Sequence, residues 1–462
     1  MTFDQLPAAV AINAWRGSAT TGELDEYANR WGSRAGLPHS QQPLAMGEEV
    51  DERDWGSDQV GYGVLLPEST WSAADKAKGL DAPEAVRQLL DARPKTVMLR
   101  WDEKLPGNLI RRYLPDGSSQ APTIGLSTYG TNKGSLPRYI LIIGGPDVVP
   151  WSVQYALETR HAVGRLPLDE AGLEHYIDAM LTGWPNADLD VTAPLMWTVS
   201  LAGDITADMR AVIANPLEAA FADDPRVAGF THLTDQHATA AELIRMLSAS
   251  HPLLVITSSH GLTLGEGVVL RNSLGLPVDL DHQHVDLDAL DHAMPGGTIW
   301  YSQACCSAGG DASSHYEGLL APDTMALSAV QAVAQLGPTV APAATRLIGR
   351  ANPVRAVLGH VEPTFDWTLR VGDTGQGLGG FIVEALSRNL FVTRDPIGYA
   401  LRDYRAGVGE LHTQYAALLD DLNKGKVEVR DKLTRLRLSA IDRQSLVLLG
   451  DPTVTLATPT GD

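Results

Sequence analysis

Short apolar runs alternate along this chain with segments whose apolar residues recur at helical spacing. Tyr139-Ile140-Leu141-Ile142-Ile143 is continuous and closed by Gly144-Gly145-Pro146, the pattern of a strand buried on both faces of a parallel sheet. Residues 169–181 follow, with Leu173, Ile177, Met180 and Leu181 on one helical face, and 196–201 reads as the next strand. Thr239, with Glu242 three residues on, forms a capping box that opens a helix carrying Leu243, Ile244, Met246 and Leu247. The runs at 253–257 and 298–301 are further buried strands, and 326–336 is a helix stopped by Gly337-Pro338. This alternation predicts βαβ units: an α/β fold with a mostly parallel sheet and helices on both faces.

The flanks are less regular. Before residue 136 the pattern predicts strands at 63–66 and 96–99 and a short helix at 81–90 with Pro83 in its first turn, which reads as an N-terminal accessory α/β region over 1–135. Residues 136–348 then form the core. Residues 349–462 complete it with helical segments at 381–388 and 427–437 and a last strand at 446–449, turned by Gly450-Asp451-Pro452.

Composition narrows the class. In 462 residues, 44% hydrophobic and 20% charged, there is material for two or three globular units. A net charge of −20 opposes direct nucleic-acid binding and suits a basic or neutral partner. Residues 1–17 lack the basic and apolar segments of a signal peptide, and the longest charge-free stretch, between Asp323 and Arg346, contains Pro338 and Pro342. The expected setting is therefore cytoplasmic, away from membranes. The only two cysteines, Cys305 and Cys306, are adjacent, so they can build neither a disulfide framework nor a four-thiolate zinc site. They are either packing or chemistry.

Two strand ends carry the candidate chemistry. Ser258-Ser259-His260-Gly261 follows one apolar run, and Gln303-Ala304-Cys305-Cys306-Ser307-Ala308-Gly309-Gly310 follows the next. Ligands bind at the carboxyl ends of parallel strands, where neighbouring strands can deliver an imidazole to a thiol. An imidazole activates a cysteine nucleophile, and the amides of Gly261 and of the attacking cysteine are candidate oxyanion donors.

The order strand, His-Gly, strand, Ala-Cys, Gly resembles the caspase-like cysteine peptidases, a group that includes metacaspases, separases, CHAT-domain proteases and gingipains. Likeness to the gingipain branch extends to Tyr139 through Pro150, to Val163-Gly164-Arg165-Leu166-Pro167 before a helix, and to Leu449-Gly450-Asp451-Pro452. It covers 136–456. The resemblance implies a caspase-like three-layer sandwich and an endopeptidase that needs no metal or cofactor. It implies His260 and Cys306 as the catalytic dyad, since glycine stands three residues after Cys306; Cys305, approached by Gln303-Ala304, is the alternative nucleophile. It further implies limited proteolysis of a protein or peptide substrate after a basic P1 residue, with Glu158 and Asp147 as substrate-binding acids. An activating protein partner and a role in bacterial defence, where CHAT-type relatives act, are in keeping with it.

Other clusters lead elsewhere. Asp279, Asp281, His282, His284, Asp286, Asp288, Asp291 and His292 could in principle hold a divalent metal for a hydrolase, but their spacing matches no recognised motif and reads as a solvated loop and helix. Ser258 and Ser259 sit in no Gly-x-Ser-x-Gly elbow. A catalytically inactive interaction module on the same fold is the remaining alternative.

Overall fold

A computed structural model describes residues 9–12, 20–23, 50–316, 318–371 and 375–458. The chain divides into two compact units, Met1–Asp51 and Glu52–Asp462. In the first, Ala9–Ile12 and Thr20–Glu23 form an antiparallel pair; the rest of the 1–17 stretch lies outside the described residues.

The second unit is built on a twelve-stranded sheet. In chain order its strands are β1 (Tyr62–Pro67), β2 (Val97–Trp101), β3 (Arg111–Tyr113), β4 (Ser119–Gln120), β5 (Tyr139–Ile143), β6 (Ala162–Leu166), β7 (Leu195–Thr198), β8 (Thr231–Leu233), β9 (Leu254–Ser258), β10 (Ile299–Gln303), β11 (Ala356–His360) and β12 (Leu446–Gly450). Across the sheet the order is β8-β7-β9-β10-β11-β12-β6-β5-β1-β2-β3-β4. Two parallel blocks, β8 to β11 and β12 to β2, meet at one antiparallel seam between β11 and β12.

Alternation explains the sandwich. Along β5, Tyr139, Leu141 and Ile143 enter the main core with Val86 and Leu89 of α1 (Glu84–Ala92). Ile140 and Ile142 enter a second core with Leu157 of α2 (Trp151–Glu158), so both faces of the strand are covered. α3 (Glu170–Leu181), capped by Asp169 on the amide of Gly172, packs on α1. α4 (Ala240–Ser250) opens as the capping box requires, with Thr239 accepting from the Glu242 amide. Farther along come α5 (Met325–Ala334), α6 (Pro342–Gly349), α7 (Arg402–Asn423) and α8 (Arg430–Gln444), the last two packed together. Among the described residues no helix is long and apolar enough to cross a membrane.

The architecture is the expected α/β sandwich with a mostly parallel sheet. The expected boundary at 135 is not where the chain divides. β1 to β4 come from before it, β1 pairs with β5, and the Tyr62 hydroxyl donates to Asp451 in the Gly-Asp-Pro turn at 2.6 Å. Residues 52–135 supply four of the sheet's strands.

Candidate functional site

β7, β9 and β10 end level with one another. Thr198 pairs with Ser258, and Ser258 with Gln303. β8 lies on one side of β7 and β9 on the other, so the chain changes winding direction between β7 and β9 and opens a crevice at their carboxyl ends. His260 stands two residues beyond Ser258, and Cys305 two beyond Gln303.

His260 is partly open to solvent, its side chain 38% exposed, and its Nε2 lies 3.0 Å from Oδ2 of Asp204. Asp204 comes from the loop after β7 and caps the helix Ile205–Met209. Its Oδ1 accepts from the Thr206 amide at 2.9 Å and hydroxyl at 2.6 Å. Burial pushes this carboxyl upward, but the Thr206 hydroxyl and amide, then the imidazole, more than offset that and hold it below the ordinary carboxylate range. Asp204 is thus an anion fixed by its own helix cap and aimed at His260. Its separation in sequence hid it; an Asp-x-Thr cap directly after a strand next to the His-bearing strand was the available signal.

The structure separates the two thiols. Cys305 is half-buried, packed at the margin of the apolar cluster that holds Cys306, and its Sγ accepts from the Thr364 amide at 3.3 Å and lies 3.7 Å from the Thr364 hydroxyl. Burial raises its pKa, the Thr364 amide and hydroxyl opposing. Cys306 is fully buried, 0% exposed, among Leu270, Leu274, Val333 and Leu336, and burial raises its thiol far more. The expectation of Cys306 as nucleophile therefore meets a correction: a thiol sealed in an apolar cluster cannot meet a substrate carbonyl, whereas its neighbour is only partly buried. The expected Cys306 oxyanion donor is corrected too, since its amide donates to the Glu362 carbonyl at 3.0 Å.

Gly261 sits where only glycine fits. A Cβ there would come within 2.0 Å of the Cys305 carbonyl oxygen, so the His-Gly and Ala-Cys segments lie backbone against backbone. Gly359 does the same service behind the site, since a Cβ would press on Ser307 and the Ala308 amide where the chain after the cysteines doubles back over β11.

The two acids expected to bind substrate lie elsewhere. Glu158 is interior, its Oε1 accepting from Gln154 at 3.0 Å and its Oε2 2.9 Å from Arg405 of α7. Its carboxylate serves the packing of α2 on α7. Asp147 is exposed in the turn after β5. The β11–β12 seam reverses strand direction, so that turn leaves the end of the sheet at which β9 and β10 begin. Neither acid joins the crevice. In the 279–292 cluster, Asp279 accepts from the amides of Ala240, Asp281 and Gln283, Asp286 caps Leu287–Ala293, and Asp288 and Asp291 pair with Arg346. Those carboxylates hold loop and helix ends.

Behind Gln303 and Thr364 lies a cavity of about 50 Å³, whose other walls include Ile205, Ile382, Asp442 and Arg443. Sequence reading missed it entirely, because its walls come from β10, the loop after β11, and α8.

No family model matches this chain, and no curated protein matches it. The gingipain-like and CHAT-type branches thus find no support of that kind. Among solved structures, the crystal structure of the Saccharomyces cerevisiae separase–securin complex aligns over 72% of this chain at 11% identity, with a TM-score of 0.34. This chain covers 16% of the length of that one.

Proposed function

We propose that this chain is a cysteine endopeptidase in which Cys305 is the nucleophile, His260 the proton carrier and Asp204 the residue that positions the imidazole. The observation that carries the reading is the delivery of an Asp-held imidazole and a partly exposed thiol from the level ends of adjacent strands. Asp204 accepts from Nε2, which leaves Nδ1 as the nitrogen for exchange with substrate and thiol. Raised by burial, the Cys305 sulfur rests as the protonated thiol. His260 takes its proton as sulfur attacks the peptide carbonyl, then gives that proton to the departing amine. The C–S bond forms as C–N breaks, and water, activated by the same imidazole, hydrolyses the thioester. The substrate is a protein or peptide cut at few sites.

The test is labelling by an electrophilic peptide probe, read by mass spectrometry on wild type, Cys305→Ala, Cys306→Ala and His260→Ala. Labelling should vanish in Cys305→Ala, fall in His260→Ala and persist in Cys306→Ala. Loss in Cys306→Ala with retention in Cys305→Ala would reverse the assignment; equal labelling in all four would remove the dyad.

A further inference from the structure

We propose that Thr364 is a further catalytic residue, whose hydroxyl accepts from the Cys305 thiol at rest and turns to donate to the sulfur once His260 has taken the proton. This rests on the peptidase reading and assigns what steadies the sulfur between its two protonation states. Three groups of this one residue surround the thiol. The Thr364 amide donates to Sγ at 3.3 Å, the hydroxyl lies 3.7 Å from it and the carbonyl 4.0 Å. A thiol has one hydrogen to give and a thiolate none, so the sulfur needs an acceptor before proton transfer and an added donor after it. An amide N–H can only donate and a carbonyl only accept. The hydroxyl does both by rotating about its C–O bond, and among the described residues it has no hydrogen-bond partner other than this sulfur.

Thr364 is aimed because the chain is pinned on both sides of it. Two residues earlier, Glu362 accepts from the Cys306 amide at 3.0 Å and donates its own amide to the Gly309 carbonyl at 3.1 Å. Its φ of 73° is a left-handed conformation that a non-glycine residue keeps only where its neighbours enforce it, and its buried side chain lies 3.5 Å from Nδ1 of His315. One residue later, the Phe365 amide donates to the Asp442 carboxylate on α8, and its ring packs edge-on against Tyr316 with centroids 4.7 Å apart. Residues 362–365 are thus tied to the cysteine turn at one end and to α8 at the other.

The surroundings leave this work to neutral donors. Besides His260, the titratable groups facing the sulfur most closely are Asp442 on α8, Tyr316 and Cys306, none of them a cation. Burial raises the Cys305 thiol, and the Thr364 amide and hydroxyl pull it back. A thiolate with no cation beside it depends on fixed dipoles, as an oxyanion does.

The test follows alkylation of Cys305 by iodoacetamide across pH, together with peptide turnover, in a Cys306→Ala background where Cys305 is the sole thiol. Thr364→Val keeps the shape and the amide but removes the hydroxyl. It should move the midpoint of the alkylation profile up by about one pH unit, the worth of one weak hydrogen bond to a charged atom. It should also lower kcat about tenfold with KM little changed, because the thiolate arises only on the way to the transition state. Thr364→Ala should behave as Thr364→Val does, and carries the same test if valine disturbs folding; Thr364→Ser, which restores the hydroxyl, should return both readings towards wild type. A profile and kcat unmoved in the valine and alanine variants, or moved as far in Thr364→Ser, make Thr364 packing and overturn the proposal while the peptidase reading stands. A shifted profile in a protein that cuts no peptide upholds the hydroxyl's hold on the sulfur while the peptidase reading falls. A Cys305 that resists alkylation at every pH overturns both.

Discussion

Cys305 and Cys306 are neighbours in sequence but differ in burial, one at the margin of an apolar cluster and the other inside it, and a backbone torsion goes with the difference. Cys306 adopts a φ of 57°, in the left-handed region that non-glycine residues seldom occupy, and the turn drops its side chain into the cluster of Leu270 and Val333. Counting residues to the next glycine cannot detect that turn, so the motif pointed to the thiol that the structure buries. His260 and Gly261 were legible because a polar His-Gly closing an apolar run is a local signal. Asp204 was not, because its partnership with His260 spans a |i−j| of 56 and exists only once β7 and β9 pair. Asp204→Asn separates its two jobs. Asparagine still caps the helix, so the melting temperature should stay within a degree or so, while kcat should fall roughly tenfold or more with KM little changed. A drop in melting temperature with kcat intact would make Asp204 a cap and nothing further.

Elements with a strong local pattern stand where expected: β5 at Tyr139–Ile143, α3 behind its Asp169 cap, α4 behind Thr239. Those that escaped share a physical reason. α7 runs from Arg402 to Asn423 but buries only Tyr404, Arg405 and Val408, too short a stripe to show as a face. α2 is mostly buried along its length, so it has little polar face to contrast, and its glutamate read as a pocket acid. Two helical segments, Arg210–Ala214 and Ala385–Val392, are π-turns whose wider winding blurs a 3.6-residue period. The Glu158–Arg405 pair joins α2 to α7 in the interior. Arg405→Met should therefore lower unfolding free energy by about 3–5 kcal/mol, since it leaves a buried carboxylate uncompensated. The double variant with Glu158→Gln should recover much of that in urea titrations; losses that simply add would mean the pair is not coupled.

At the scale of the molecule, the α/β class was legible because alternating runs and helices leave few other architectures. The extent of the sheet was not, because β1 and β2 are ordinary short runs until β1 pairs with β5. β11 was hidden by Gly359 and His360 inside its five residues. A chain beginning at Glu52 should thus retain one cooperative unfolding transition by circular dichroism, whereas one beginning at Leu136 should lose it. Stripped of β1, it exposes the edge of β5 and the apolar positions that α1 covers. Cooperative melting of the shorter chain would restore the boundary at 135. The seam carries a further consequence, for biosynthesis. β12, made after every other strand described, is the strip that joins the two parallel blocks. On the ribosome the halves can form in turn but have nothing between them, so a nascent chain holds its thiol and imidazole in an unfinished sheet until residues 446–450 clear the exit tunnel. Translation itself then delays completion of the sheet, and a chain that stops just short of residue 446 is left with the edges of β11 and β6 unsealed.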